Sequence, residues 1–334
     1  MAKIGIGVIG LGRMGRVYAN FVAGQLEDAE LVAVSDPQPS VLAQYSVTTA
    51  EDYTVLLADP HVDAVIVTTP THTHREIVIA AAQAGKAIFC EKPTALTLRE
   101  TDEMIAAVNS AGVLLQIGFM RRFDRAYSEA KRQIDAGVIG TPVMIRSIGR
   151  DPYRTSLEYA DPSVSGGLIV DMGIHDFDVV RWLTGDEIQR VYAETAALVY
   201  PELTTVGDVD NAQITLKFES GGLGNIEVSR TAKYGYDIRG EVVGTEGALQ
   251  IGYLQETAVL TLTKAGVRHD VVPHFPERFG PAYTAQIAAF VTCVRDGKPP
   301  AVTAQDARAA LQAAIAATRS QHTGQVVAVA DVAD

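Results

Sequence analysis

Cysteine is nearly missing: Cys90 and Cys293 are the two in 334 residues. They make no CxxC, so a disulfide framework is excluded and a reducing compartment, the cytoplasm, is expected. No apolar run reaches the ~18–20 residues a membrane helix needs. The opening Met1-Ala2-Lys3 followed by Ile4 to Gly10 is too glycine-rich for an apolar signal helix and reads as a buried strand. Basic charge is short, with 28 Lys and Arg against 40 Asp and Glu, a net charge of −12. That field repels phosphate backbones and anionic lipid, so neither nucleic acid nor a membrane is an expected partner. Repeats and low-complexity segments are missing too, which excludes collagen and coiled coil. With 47% apolar and 20% charged residues, the chain is not disordered.

What is there points to two domains at this length. Strand-like runs at 3–9, 30–35, 63–69, 87–90 and 113–117 alternate with helical patterns at 13–24, 50–58, 74–84 and 98–111. The last helix opens with a capping box, Thr97 and Glu100, and stops at Gly112. This rhythm predicts a Rossmann-type α/β domain, a doubly wound parallel sheet, over residues 1–122. A second domain, 123–334, changes character. A helix near 125–136, a strand near 141–149, a long loop over 151–166 and a helix over 168–184 come first. Runs near 188–199, 210–219, 222–231, 238–244, 247–252 and 257–263 follow, separated by short turns. They predict an α+β domain with an open, mainly antiparallel sheet. Closing helices near 281–296 and 304–321, the second capped by Thr303 with Asp306, are free to pack back on the first domain. So few helices leave one sheet face uncovered, and a homo-oligomer, dimer or tetramer, is expected through it.

Residues Gly10-Leu11-Gly12-Arg13-Met14-Gly15 follow a strand and open a helix, the context that gives G-x-G-x-x-G its meaning. Gly10 permits the turn, Gly12 lets a pyrophosphate approach the backbone, and Gly15 allows close helix–strand packing. Arg13 and Met14 count among the cofactor contacts. Asp36 ends the second strand 21 residues after Gly15, the place of an acid that binds the ribose hydroxyls and repels a 2′-phosphate. Pro37, Gln38 and Pro39 follow it, not Arg, so NAD is expected rather than NADP.

Three further groups carry chemistry. Thr68 to His74, with Thr69, Pro70 and His74, lies at a strand's carboxyl end and should line the cofactor; His74 serves equally well as a structural residue. No Cys or acidic cluster accompanies His72 and His74, so no metal is expected. Glu91-Lys92-Pro93 follows another strand, and Lys92 at such an end points into the same crevice; Pro93 fixes the backbone, with cis the minority state. Asp171 and His175, four apart on the helix expected over 168–184, share a face. For an arbitrary helix an ordinary side-chain pair is the plainer reading, and Asp178 on the same side could orient His175 or equally be a solvated residue. Together the groups fit oxidation of an alcohol by a nicotinamide: His175 as base, Lys92 steadying the alkoxide, and Asp171 holding Lys92 or a substrate hydroxyl.

On these motifs, with Asp171-Met172-Gly173-Ile174-His175-Asp176, the chain resembles the glucose–fructose oxidoreductase, inositol dehydrogenase and rhizopine catabolism (Gfo/Idh/MocA) family over nearly its whole length. The resemblance implies a Rossmann domain, a second domain whose open sheet pairs subunits, and the roles given to Lys92, Asp171 and His175. It also puts Glu91 and Met120 with the cofactor. Gly118-Phe119-Met120-Arg121-Arg122-Phe123-Asp124 looks like the bacterial inositol 2-dehydrogenase branch. That likeness implies substrate contacts at Arg121, at Tyr234 or Tyr236 (here Tyr236), and at Tyr283. Typical myo-inositol enzymes of the branch carry His-Arg-Asn-Pro where this chain has Gly149-Arg150-Asp151-Pro152. Asp151 is kept as a substrate contact, and the loss of two hydroxyl partners changes specificity. The substrate is then a cyclic polyol or pyranose sugar: scyllo-inositol, another isomer, or a sugar that mimics one. Two other readings share the fold, a non-catalytic NAD-sensing regulator and an NAD-dependent glycoside-cleaving relative. The intact Lys92, Asp171 and His175 oppose the first, and residues 151–167 lack the glycine-rich loop of the second.

Overall fold

The computed structural model describes residues 3–333, which form two units. The first runs to Met120 and includes Tyr283–Arg308; the second comprises Arg121–Ala282 and Ala309–Ala333.

The first unit contains β1 (Ile4–Ile9), α1 (Arg13–Gln25), β2 (Ala29–Ser35), α2 (Pro39–Leu42), β3 (Thr48–Ala50), α3 (Thr54–Ala58), β4 (Ala64–Val67), α4 (Thr71–Gln83), β5 (Ala87–Cys90), α5 (Leu98–Ala111) and β6 (Leu115–Ile117). The strands pair in the order β3-β2-β1-β4-β5-β6, all parallel. The order reverses between β1 and β4, the switch point where open α/β sheets take their ligands. β4 is wholly buried, the run of β-branched and small apolar residues that a sheet covered on both faces requires. The expected helix over 50–58 is shorter. Residues 48–50 pair with β2, and the Asp52 carboxylate accepts from Thr54 N at 2.8 Å to start α3. The Thr97–Glu100 capping box opens α5, and Gly112 closes it.

The second unit opens with a 3₁₀ turn over Met120–Phe123. It holds α6 (Arg125–Asp135), β7 (Pro142–Arg150), α7 (Leu157–Ala160), α8 (Pro162–Ser165), α9 (Gly167–Asp171), α10 (Ile174–Thr184), β8 (Ile188–Ala196), β9 (Asn211–Phe218), β10 (Leu223–Ser229), β11 (Asp237–Gly244), β12 (Ala248–Ile251), β13 (Leu260–Thr263) and β14 (Gly266–His269). Then come α11 (Phe275–Asp296) and α12 (Ala304–Thr323), parts of which belong to the first unit, and β15 (Val327–Ala328). The sheet order is β12-β11-β7-β10-β9-β8-β15. All its pairings are antiparallel except β7 with β10, which are parallel. β7 is inserted between strands made much later in the chain, so turn lengths alone do not reveal its partner. Ile214, Leu216, Ile226 and Val228 are buried on one face, where α9 and α10 pack. Leu223, out of phase with Ile226 and Val228, and its register partner Met144 are half exposed on the other.

The 151–166 segment is not all loop, since α7 and α8 lie in it. The helix expected over 168–184 is two helices. Met172 N and Gly173 N both donate to Leu168 O, at 3.1 and 3.2 Å, and Asp176 N and Phe177 N both donate to Gly173 O. This register slip separates α9 from α10. A Cβ on Gly173 would lie 2.5 Å from Ile169 O, so the slip needs glycine there.

Candidate functional site

In the first unit, Gly10 has φ +89°, and a Cβ on Gly15 would lie 1.9 Å from Gly10 O. Both glycines are thus demanded by the turn. Gly12 caps α1 with no side-chain hydrogen bond, and a Cβ there would meet nothing within 4 Å. An open backbone at a helix N-terminus is what a pyrophosphate needs. Arg13 is exposed and Met14 half-buried in the first turn of α1. Asp36 is 9% exposed; its Oδ2 accepts from Leu11 N at 2.8 Å and its Oδ1 from Gln38 N at 2.9 Å. Each oxygen keeps a further acceptor site for a diol. The residues present therefore fit an NAD cofactor.

Thr68 Oγ1 donates to Gly10 O at 2.6 Å, which ties the loop after β4 to the glycine turn. Thr69 Oγ1 accepts from Thr73 Oγ1 at 2.7 Å, and Pro70 caps α4. His74 is buried, with Nδ1 2.9 Å from Pro93 O and Nε2 2.9 Å from Thr69 O. It joins the Thr69 loop to the Lys92–Pro93 segment, and burial lowers its pKa. These contacts fit the structural role.

Lys92 is half-buried, and the Lys92–Pro93 bond is cis. Beside it, the buried Glu91 carboxylate accepts from Tyr18 Oη and, at 3.0 Å, from Lys92 N. Burial raises the Glu91 pKa, against the pull of Tyr18 and Lys92. Gln286 Nε2 donates to Tyr18 Oη at 2.7 Å. Tyr283, on α11, has its ring centroid 6.4 Å from that of Tyr18. Met120 is buried at the end of this unit.

In the second unit, Asp171 ends α9 and is 8% exposed, while half-buried His175 lies in the first turn of α10. They do not share one continuous helix, because of the slip at Met172 and Gly173. Arg230 Nη2 donates to Asp171 Oδ2 at 2.6 Å, and Tyr159 Oη donates to Asp171 Oδ1 at 3.0 Å. Asp178 is buried, not solvated, and paired with Arg122 at 2.5 and 3.0 Å. Arg121 is 2% exposed and donates to Asp176 Oδ1 at 2.6 Å, as does Ser147 Oγ. A Cβ on Gly149 would lie 2.9 Å from Asp176 Oδ2. Asp151 is fixed at the end of β7 by its backbone, N to Ser229 O at 2.8 Å and O from Ala232 N at 3.0 Å. Tyr236 is buried, its ring 5.6 Å from His274 and 6.1 Å from Phe279. Tyr234 is half exposed and bonded to Arg150 and Asp237.

Sequence reasoning missed Arg230. A signal existed: Ile226, Val228 and Arg230 continue one period-two series, which places a cation on the buried face. Among the described residues there is no cluster of His, Cys, Asp and Glu able to hold a metal.

Residues 4–119 match the NAD-binding Rossmann fold of the Gfo/Idh/MocA oxidoreductase family, and residues 131–329 match its C-terminal alpha/beta domain. The chain belongs to this family. It is an NAD-dependent oxidoreductase acting on CH–OH groups. Relatives cover nearly all of it. It is 43% identical over 325 residues to the scyllo-inositol 2-dehydrogenase (NAD(+)) of Bacillus subtilis strain 168, covering 96% of this chain and 94% of the relative. It is 40% identical over 333 residues to the myo-inositol 2-dehydrogenase of Thermotoga maritima, covering 98% and 99%. Among solved structures, the scyllo-inositol dehydrogenase of Lactobacillus casei with bound NAD(H) and scyllo-inositol superposes with a TM-score of 0.94 at 32% identity. That match covers 98% of this chain and 100% of the other. No helix among the described residues is long and apolar enough to cross a membrane.

Proposed function

We propose that this chain oxidises one ring hydroxyl of an inositol, scyllo-inositol first among them, with NAD as hydride acceptor. The observation that carries the reading is the full-length 43% identity to a scyllo-inositol 2-dehydrogenase, joined to an intact Lys92, Asp171 and His175. Position 149 supports scyllo- over myo-inositol. The polar side chain typical of myo-inositol enzymes is replaced by glycine, and Asp176 Oδ2 would crowd a Cβ there at 2.9 Å. A hydroxyl whose partner is missing is disfavoured.

In this reading His175 takes the hydroxyl proton, since imidazole titrates near neutrality. Lys92 steadies the developing alkoxide as a cation, its backbone held by the Glu91 carboxylate. Asp171 holds a substrate hydroxyl or the Lys92 ammonium. Asp151, Arg121, Tyr236 and Tyr283 are proposed around the ring. Gly10, Gly12, Arg13, Met14, Gly15, Asp36, Thr69, Pro70, Glu91, Lys92 and Met120 are proposed against the cofactor, with His74 fixing two of their loops. Bound nicotinamide supplies the hydride acceptor.

The working form is a homo-oligomer, dimer or tetramer, paired through the half-exposed face bearing Met144 and Leu223. The two free cysteines fit a cytoplasmic location.

The test is NADH formation with scyllo-inositol, other inositol isomers and pyranose sugars. Turnover of scyllo-inositol is expected, and His175→Asn should lower kcat by about 10²–10⁴-fold. An enzyme that binds NAD yet turns over no inositol or pyranose overturns the reading.

A further inference from the structure

Asp171 ends a helix little more than one turn long, and the register slip at Met172 and Gly173 uncouples it from α10. Its position therefore depends on side-chain contacts. Arg230 Nη2 lies 2.6 Å from Asp171 Oδ2, and Arg230 Nη1 lies 3.7 Å from Asp208 Oδ2. The Arg230 side chain is 1% exposed. Asp208 Oδ1 accepts from Leu168 N, in the first turn of α9, at 2.8 Å. One carboxylate thus holds the start of α9 while the guanidinium holds its last residue. Arg230 is itself mounted rigidly. Its N–H donates to Asp210 O at 3.0 Å, and the Asp210 carboxylate accepts from the amides of Leu198, Val199 and Tyr200 at 2.7–2.9 Å.

We propose that Arg230 is the positioning residue of the dehydrogenase site, keeping the Asp171 carboxylate ionised and in one orientation; the proposal rests on the catalytic reading given above. Arg230, Asp208 and Tyr159 of this unit face Asp171, with His175 one turn further along the chain. Arg230 is the cation among them that cannot lose its proton in the working range. One guanidinium between two carboxylates leaves a net negative charge, so neutralisation is partial and Asp171 still accepts from a further donor. Its planar fork also sets direction, which a lysine ammonium does not.

The experiment follows the Asp171 carboxyl directly, by NMR of protein labelled at the aspartate carboxyls, with Asp171→Asn assigning the signal. It is run beside the pH profile of kcat/KM for NAD and scyllo-inositol, in wild type, Arg230→Gln and Arg230→Lys. In Arg230→Gln the Asp171 titration should move up by about one to three pH units, and the acid limb of kcat/KM should move with it. In Arg230→Lys the charge is kept, so the titration stays near wild type while kcat/KM falls roughly ten- to a hundredfold through lost alignment. If Arg230→Gln does not fold, the Arg230→Lys pattern decides. A wild-type titration matched by Arg230→Gln, or an Arg230→Lys enzyme with unchanged kcat/KM, overturns the proposal. A titration that moves in a protein without turnover leaves Arg230 holding the Asp171 charge and overturns the catalytic reading instead.

Discussion

Asp36 does two things with one carboxylate: it fixes Leu11 N of the glycine turn, and it presents negative charge at the end of β2. Asp36→Asn keeps an acceptor for that amide and removes the charge. The kcat/KM ratio of NAD to NADP should then fall by roughly ten- to a hundredfold, the worth of a hydrogen bond to a charged group. Steady-state kinetics with both cofactors checks this, and an unchanged ratio would separate Asp36 from cofactor choice. Asp36 was legible because strand, glycines and acid lie within one short stretch of chain. The partner of Asp171 was not, because Arg230 is 59 residues away and only folding joins them. The Arg122 partner of Asp178 was hidden for the same reason: spacing shows only neighbours on one helix, and this guanidinium comes from another element.

Among elements, the capped helices were readable. Thr97 with Glu100 and Thr303 with Asp306 both form the expected reciprocal bonds, since a cap is settled by neighbours in sequence. The break between α9 and α10 was not readable, because apolar residues run through it without a lapse in helical period. Gly173→Ala tests its importance. The methyl meets Ile169 O, so stability should fall by about 1–3 kcal/mol, as for an overpacked core. Because Asp171 and His175 flank the break, kcat should fall by more than the loss of folded protein accounts for. Thermal unfolding measured beside kcat separates the two. The parallel pairing of β7 with β10 was likewise hidden, since short turns announce antiparallel neighbours and say nothing of a strand inserted from afar.

For the molecule as a whole, the half-exposed face of the seven-stranded sheet carries the assembly prediction. Met144 and Leu223 are register partners on adjacent strands and 48% and 51% exposed. Met144→Glu combined with Leu223→Glu places like charges on the face proposed for the contact. Sedimentation equilibrium should show a smaller species than wild type, and an unchanged mass would rule this face out as the contact. The first unit has a different consequence. Its core is not complete within its first 120 residues: the Phe89 ring packs 5.9 Å from Phe290, and Gln116 Nε2 donates to Gln286 O at 3.0 Å. Gln286 lies 170 residues beyond Gln116, with most of the second unit between them. Domains generally fold amino-terminal first during synthesis, but this nucleotide-binding unit must wait, with its sheet partly uncovered, until the intervening stretch of the second unit has been made.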